Sequence, residues 1–160
     1  MILAVAAVTY LYYMQGFPPA GSSPRLRPHV EDQQLQNSPI ISIIDDDESM
    51  RCAMKSLVTS LGFGAYTFAS AEEFLQSPYL DHTSCVITDL QMPGLNGVEL
   101  QKSLLAQGRH IPIIFVTAFP EERLRARVME AGALGFLSKP FESETLIKLV
   151  DEAIEAGRKY

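Results

Sequence analysis

The chain has 160 residues, 47% of them hydrophobic, and a net charge of −6 at pH 7. That length suits one domain with some to spare, and the composition is that of an ordinary globular protein. An acidic chain without a basic stripe is a poor direct ligand for nucleic acid, but clustered acids can hold a cation such as Mg²⁺.

Residues Ile2 to Met14 are apolar and rich in Tyr, yet these 13 residues are short for a bilayer span. No Lys or Arg precedes them, as a signal peptide requires, so no membrane role is expected. Pro18, Pro19, Pro24 and Pro28, followed by the polar run Glu31 to Ser38, have linker composition. Residues 1–38 therefore read as an extension, and the folded domain is expected over residues 39–157.

Strand and helix patterns alternate from Pro39 onward. Ile40 to Ile44 is a short apolar run, strand one. Met50, Met54, Leu57, Val58 and Leu61 recur at three and four, giving one face of a first helix. Asp46 or Asp47 can cap it. Ala65 to Phe68 is a second strand, and Ser70-Ala71-Glu72-Glu73 reads as a capping box opening a short second helix. Val86 to Thr88 is strand three. Val98, Leu100, Leu104 and Leu105 predict a third helix, stopped by Gly108. Ile111 to Val116 is strand four. Leu124, Val128 and Ala131 mark a fourth helix whose other faces carry Arg123, Arg125 and Arg127. Leu134 to Leu137 is strand five, and Leu146, Leu149, Val150 and Ala153 mark a last helix. Five strands alternating with five helices imply right-handed crossovers and an α/β fold: a doubly wound, five-stranded parallel sheet covered on both faces. The text stops after the last helix, so no second domain is expected.

Cys52 and Cys85 are far apart, each in an apolar pattern. They read as two buried thiols in a reducing compartment, not as a disulfide or metal site. His29, His82 and His110 share no spacing and read as surface residues beside loops.

The chemistry gathers at strand ends. Strand one runs into Asp45-Asp46-Asp47-Glu48. One Asp suffices to cap the following helix; a run of acids at the end of an apolar strand points further, to a shared divalent cation. Strand three ends on Asp89 and breaks into a loop at Met92-Pro93-Gly94 and Asn96-Gly97. Thr117 ends strand four, before the small Ala118, and Lys139 follows strand five, before Pro140. Taken alone, Thr117 is an ordinary strand residue and Lys139 a solvated turn residue. In a doubly wound sheet, however, all these strand ends lie on one rim. A carboxylate that can attack phosphorus, a cation to neutralise charge, and a lysine and threonine to hold oxygens make a phosphoryl-transfer site. No catalytic Ser/His/Asp set, P-loop or Gly-rich dinucleotide loop appears.

With those residues in view, the chain from about Pro39 to Gly157 resembles the receiver domain of two-component response regulators, closest to the FixJ type. The resemblance rests on Ile43-Ile44-Asp45-Asp46-Asp47-Glu48, Val86 to Gly97, Phe115-Val116-Thr117-Ala118, and Ala131 to Phe141 with Lys139-Pro140. It implies the flavodoxin-like (βα)5 receiver fold, a cytoplasmic location and a Mg²⁺ cofactor. It implies that Asp89 is the phosphoacceptor, that Asp46 binds the metal directly with Asp45 partly through water, and that Asp89 and the Gln91 carbonyl complete the metal site. Thr117, Ala118 and Lys139 would bind the phosphoryl group. Thr117 and Phe136 would form the switch, and the side chains of Gln91 and Phe119 would tune hydrolysis. The Lys139-Pro140 bond is expected to be cis. A sensor histidine kinase or phosphotransfer protein would be the donor, docking on the first helix. Output would pass to a protein partner through the face made by the fourth helix, fifth strand and fifth helix, with room for a phosphorylation-dependent homodimer. Only self-phosphorylation and self-dephosphorylation are expected as catalysis.

Two other readings compete. A haloacid-dehalogenase-type phosphohydrolase would use Asp45 as nucleophile and Asp47 as its partner, but has Ser49 where Thr or Val is wanted and leaves Asp89 and Lys139 unexplained. A phosphorylation-independent adaptor would keep the fold without the chemistry, against the intact set of five residues.

Overall fold

The three central strands of a five-stranded parallel sheet form from runs rich in β-branched residues that are buried almost throughout. The two edge strands, GAYTF and GFLS, carry few or none and are less fully buried. The computed structural model describes residues 38–157, so the leader expected over residues 1–38 lies, but for Ser38, outside the described residues. The elements are β1 (Ile40–Ile44), α1 (Glu48–Ser60), β2 (Gly64–Phe68), α2 (Ala71–Leu75), a 3-10 turn (Leu80–His82), β3 (Thr83–Asp89), α3 (Gly97–Ala106), β4 (Ile113–Thr117), α4 (Glu122–Glu130), β5 (Gly135–Ser138) and α5 (Ser143–Gly157).

The sheet order is β2-β1-β3-β4-β5, with every pairing parallel. The chain winds outward from β1 in one direction and from β3 in the other. The carboxyl ends of β1 and β3 therefore flank the place where the order reverses, which is where open α/β sheets form their crevice.

Successive residues along a strand face opposite sides, and the core divides accordingly. Ile41, Ile43, Cys85, Ile87, Ile114 and Val116 pack with Met54 and Val58 of α1 and Leu146, Val150 and Ala153 of α5. Ile44, Val86, Ile113 and Phe115 pack with Phe74 of α2, Leu100 and Leu104 of α3 and Val128 of α4. Each fully buried side chain of this size contributes about 1.5–3 kcal/mol. Ser42, buried in β1, bonds Thr83 across the sheet at 2.8 Å, so its hydroxyl is satisfied. Among the described residues no helix is long and apolar enough to cross a membrane.

The structure corrects several local expectations. Strand four begins at Ile113 rather than Ile111: Pro112 has no N–H to donate, although its carbonyl accepts from Val86 N at 2.9 Å. Ser70 caps α2 by accepting from Glu73 N, but Glu73 Oε2 accepts from Ala69 N, one residue before the cap, so the box is not reciprocal. The reciprocal box belongs to α3, where Asn96 and Glu99 bond each other's backbone N–H at 3.0 Å. Asp47, rather than Asp46, caps α1.

Cys85 is buried as expected, but Cys52 is exposed. Cys52 lies two positions before buried Met54, and at 3.6 residues per turn that places it on the far side of α1. Burial pushes the Cys85 thiol up to about 12, so at pH 8 its thiolate fraction is roughly 10⁻⁴. Alkylation of the folded protein is therefore predicted to stop at one of the two cysteines, Cys52 by peptide mapping, with the second reacting only after denaturation.

Candidate functional site

The rim at the carboxyl ends of the strands brings together Asp45, Asp46, Asp89, Thr117 and Lys139. Asp45 continues β1, its N–H donating to Phe68 O of β2 at 3.2 Å. Its side chain is wholly buried. Oδ1 accepts from Asp47 N at 2.9 Å, and Oδ2 accepts from Lys139 Nζ at 2.8 Å. Asp89 ends β3 with its side chain 11% exposed. Its Oδ1 accepts from Gln91 N at 2.9 Å and its Oδ2 from Lys139 Nζ at 3.1 Å. One ammonium thus bridges two carboxylates from neighbouring strands, while backbone amides fix the other oxygen of each.

Lys139 reaches this position from the turn after β5, where its N–H donates to Thr117 O at 2.8 Å. The Lys139-Pro140 bond is cis. Burial penalises the Lys139 ammonium, but hydrogen bonds and charge from Asp45 and Asp89 outweigh that penalty, and its pKa lies above the ordinary lysine value. Asp46 is exposed on the outer side of the site. Asp45, Asp46 and Asp89 can each offer a carboxylate oxygen within 4.8 Å of the others. Three hard oxygen donors open to solvent on one side fit Mg²⁺, which binds through a few carboxylates and keeps waters and phosphate oxygens.

Thr117 is buried at the end of β4, its Oγ1 accepting from Phe119 N at 3.2 Å. Phe136 is half-buried on β5, packed against the core beneath α2, α3 and α4. Phe136 pairs with Phe115 and Ser138 with Thr117, so the threonine and the ring are two residues apart along adjacent strands. Ala118 and Gln91 are exposed. Phe119 is 68% exposed, a large apolar ring left beside the rim.

Asp47 caps α1 and is not among the three acids whose oxygens converge. Its Oδ1 accepts from Ser49 N and Met50 N at the start of α1. Three contributors were not legible in the sequence. Arg51 Nη1 donates to Asp45 O at 2.6 Å, tying α1 to the end of β1. Gly97 lets α3 start against β3: a Cβ there would lie 2.5 Å from Asp89 O. Glu72 of α2 accepts from Leu95 N in the loop after β3 at 2.7 Å, a contact spanning 23 residues. Arg51 and Glu72 sit inside helices with no local signal, and only the Asn96-Gly97 pair hinted at a tight approach.

The sequence matches the family described as response regulator receiver domain over residues 41–151. It is 42% identical over 120 residues to nodulation protein W of Bradyrhizobium diazoefficiens, covering 75% of this chain and 53% of that protein. It is 41% identical over 115 residues to transcriptional regulatory protein FixJ of the same organism, covering 71% and 56%. The chain thus spans about half the length of the curated relatives it matches. Among solved structures, response regulator StyR superposes with a TM-score of 0.70 at 36% identity, covering 76% of this chain and 62% of that one. FixJ-N superposes with a TM-score of 0.67 at 32% identity, covering 74% of this chain and 95% of that one.

Removing the ammonium would leave two carboxylates facing each other with no counter-charge. Lys139→Met is predicted to cost about 2–3 kcal/mol in urea denaturation without divalent cations, somewhat less than for a fully enclosed pair. Because the folded-state pKa is raised, this contribution is fully present below the ordinary lysine value of 10.5 and lost as pH rises through the folded value. The gap between variant and wild type should stay constant from neutral pH to about pH 9 and close above the folded value.

Proposed function

The chain belongs to the response regulator receiver domain family, and on that premise we propose that it is a two-component phosphoacceptor switch whose acceptor is Asp89. The observation that carries this reading is the single Lys139 ammonium held between Asp45 and Asp89, 2.8 and 3.1 Å away, with Asp46 alongside.

A carboxylate oxygen of Asp89 attacks the phosphorus of a phosphohistidine on a sensor kinase or phosphotransfer protein. The P–N bond breaks, the imidazole leaves, and an acyl phosphate forms on Asp89. Asp45, Asp46, Asp89 and the Gln91 carbonyl would hold Mg²⁺, which when bound neutralises charge on the transferring phosphoryl group. Lys139 swings its ammonium toward the phosphoryl oxygens, to which the Ala118 backbone N–H and the Thr117 hydroxyl also donate. Water later attacks the acyl phosphate and regenerates the carboxylate, with Gln91 and Phe119 setting its access.

The Thr117 hydroxyl is the switch element. In the present state it accepts from Phe119 N; turning toward a phosphoryl group vacates space into which the half-buried Phe136 ring can move. Phe136 has no hydroxyl, so the ring responds by packing alone. The movement reaches the α4-β5-α5 face, where a protein partner or a second copy would dock. A phosphorylated kinase as donor implies a cytoplasmic site of action.

The phosphohydrolase reading is disfavoured by the engagement of Asp47 as a helix cap and the complete burial of Asp45. Incubation with acetyl phosphate and Mg²⁺ should add one phosphoryl group by intact-mass spectrometry. The gain should vanish with EDTA and in Asp89→Asn. Loss of the label in Asp45→Asn with retention in Asp89→Asn would overturn the assignment.

A further inference from the structure

We infer that Glu72 is a positioning residue for the metal site: from α2 it clamps the far end of the β3–α3 loop and thereby fixes the Gln91 backbone. The inference rests on the reading of Gln91 O as a metal ligand and extends it to a residue outside the rim.

The loop from Gln91 to Asn96 is closed at its base by Gly97 N donating to Leu90 O at 3.0 Å. Its near end is held by Gln91 N on Asp89 Oδ1 at 2.9 Å. Its far end is held from outside by Leu95 N on Glu72 Oε1 at 2.7 Å. Gly94, between the two anchors, has φ +75°, and a Cβ there would meet Glu72 Oε1 at 2.5 Å. Glycine at this position therefore meets two demands, a left-handed backbone and room for the incoming carboxylate. The bond from Leu95 N holds the Glu72 carboxyl below the usual range, so Glu72 accepts as an anion at neutral pH.

Mg²⁺ requires near-octahedral geometry. A carbonyl ligand on a loop meets that demand only if the loop is ordered before the ion arrives, since ordering it afterwards subtracts from the binding free energy. Asp89 orders the near anchor and is itself a site residue. Asn96 N on Glu99 Oε2 also holds the far end, but from within α3. Glu72 is the anchor from another helix, and it bonds Leu95 N rather than a residue of the metal site.

The test compares Glu72→Ala, which removes the acceptor, with Glu72→Gln, whose amide oxygen can still accept from Leu95 N. Mg²⁺ binding to the full chain is measured by calorimetry, and Leu95 amide exchange by NMR in EDTA. Glu72→Ala should bind Mg²⁺ about tenfold more weakly, at the lower end of what loss of an outer-sphere partner costs, with faster exchange at Leu95. Glu72→Gln, whose neutral bond is weaker but still made, should lose clearly less than Glu72→Ala on both measures. Wild-type affinity in Glu72→Ala, or equal losses in both variants, would overturn the clamp. Wild-type protein that takes up no Mg²⁺ would overturn the metal reading instead, and unchanged Leu95 exchange in Glu72→Ala would still overturn the clamp.

Discussion

Asp45 and Asp89 end neighbouring strands, face one crevice and are both largely withdrawn from water. Two such carboxylates repel each other strongly unless positive charge lies between them. Lys139 supplies that charge here, from a turn 94 residues after Asp45 and 50 after Asp89. Its geometry depends on the whole sheet: β1 and β3 must be adjacent, β4 must space β5 from them, and the turn after β5 must point back over β4. The hydrogen bond from Lys139 N to Thr117 O joins that turn to β4.

This electrostatic frame also accounts for the proposed reactivity. A bridging ammonium that bonds one oxygen of each carboxylate can transfer to incoming phosphoryl oxygens without crossing the site. Each carboxylate keeps its second oxygen fixed by a backbone amide two residues downstream, Asp47 N for Asp45 and Gln91 N for Asp89. The site is thus held from the backbone, and only the lysine and the threonine hydroxyl need to move. Order at the metal side is extended outward by the loop after β3 and by Glu72, which anchors that loop to α2.

Much of this was legible in the sequence because two periodicities carried it. Runs such as Ile113–Thr117 are short and apolar throughout, and α1 and α5 show one buried face each. Strand ends then placed Asp45, Asp89, Thr117 and Lys139 on one rim without any distance being known. Failures arose where a residue's partner was not set by periodicity. Glu73 matched a capping box in spacing, yet its carboxylate reached one residue too far back. Cys52 lay among apolar neighbours but fell on the outer face of α1. Asn96-Gly97 read as a loop break, and the loop does end there, but nothing in that reading showed that Asn96 caps α3. Glu72 and Arg51 act across the fold, and nothing local distinguishes them from other charged helix residues.

The central claim is that Asp89, among the acids gathered on this rim, carries the covalent phosphoryl group. Reductive trapping of the acyl phosphate with borohydride, followed by peptide sequencing, identifies the modified position directly. Modification confined to residue 89, and dependent on Mg²⁺ during phosphorylation, is the predicted result. Modification at residue 45 or 46, or at none of the three acids in protein that has demonstrably gained a phosphoryl group, would contradict the account.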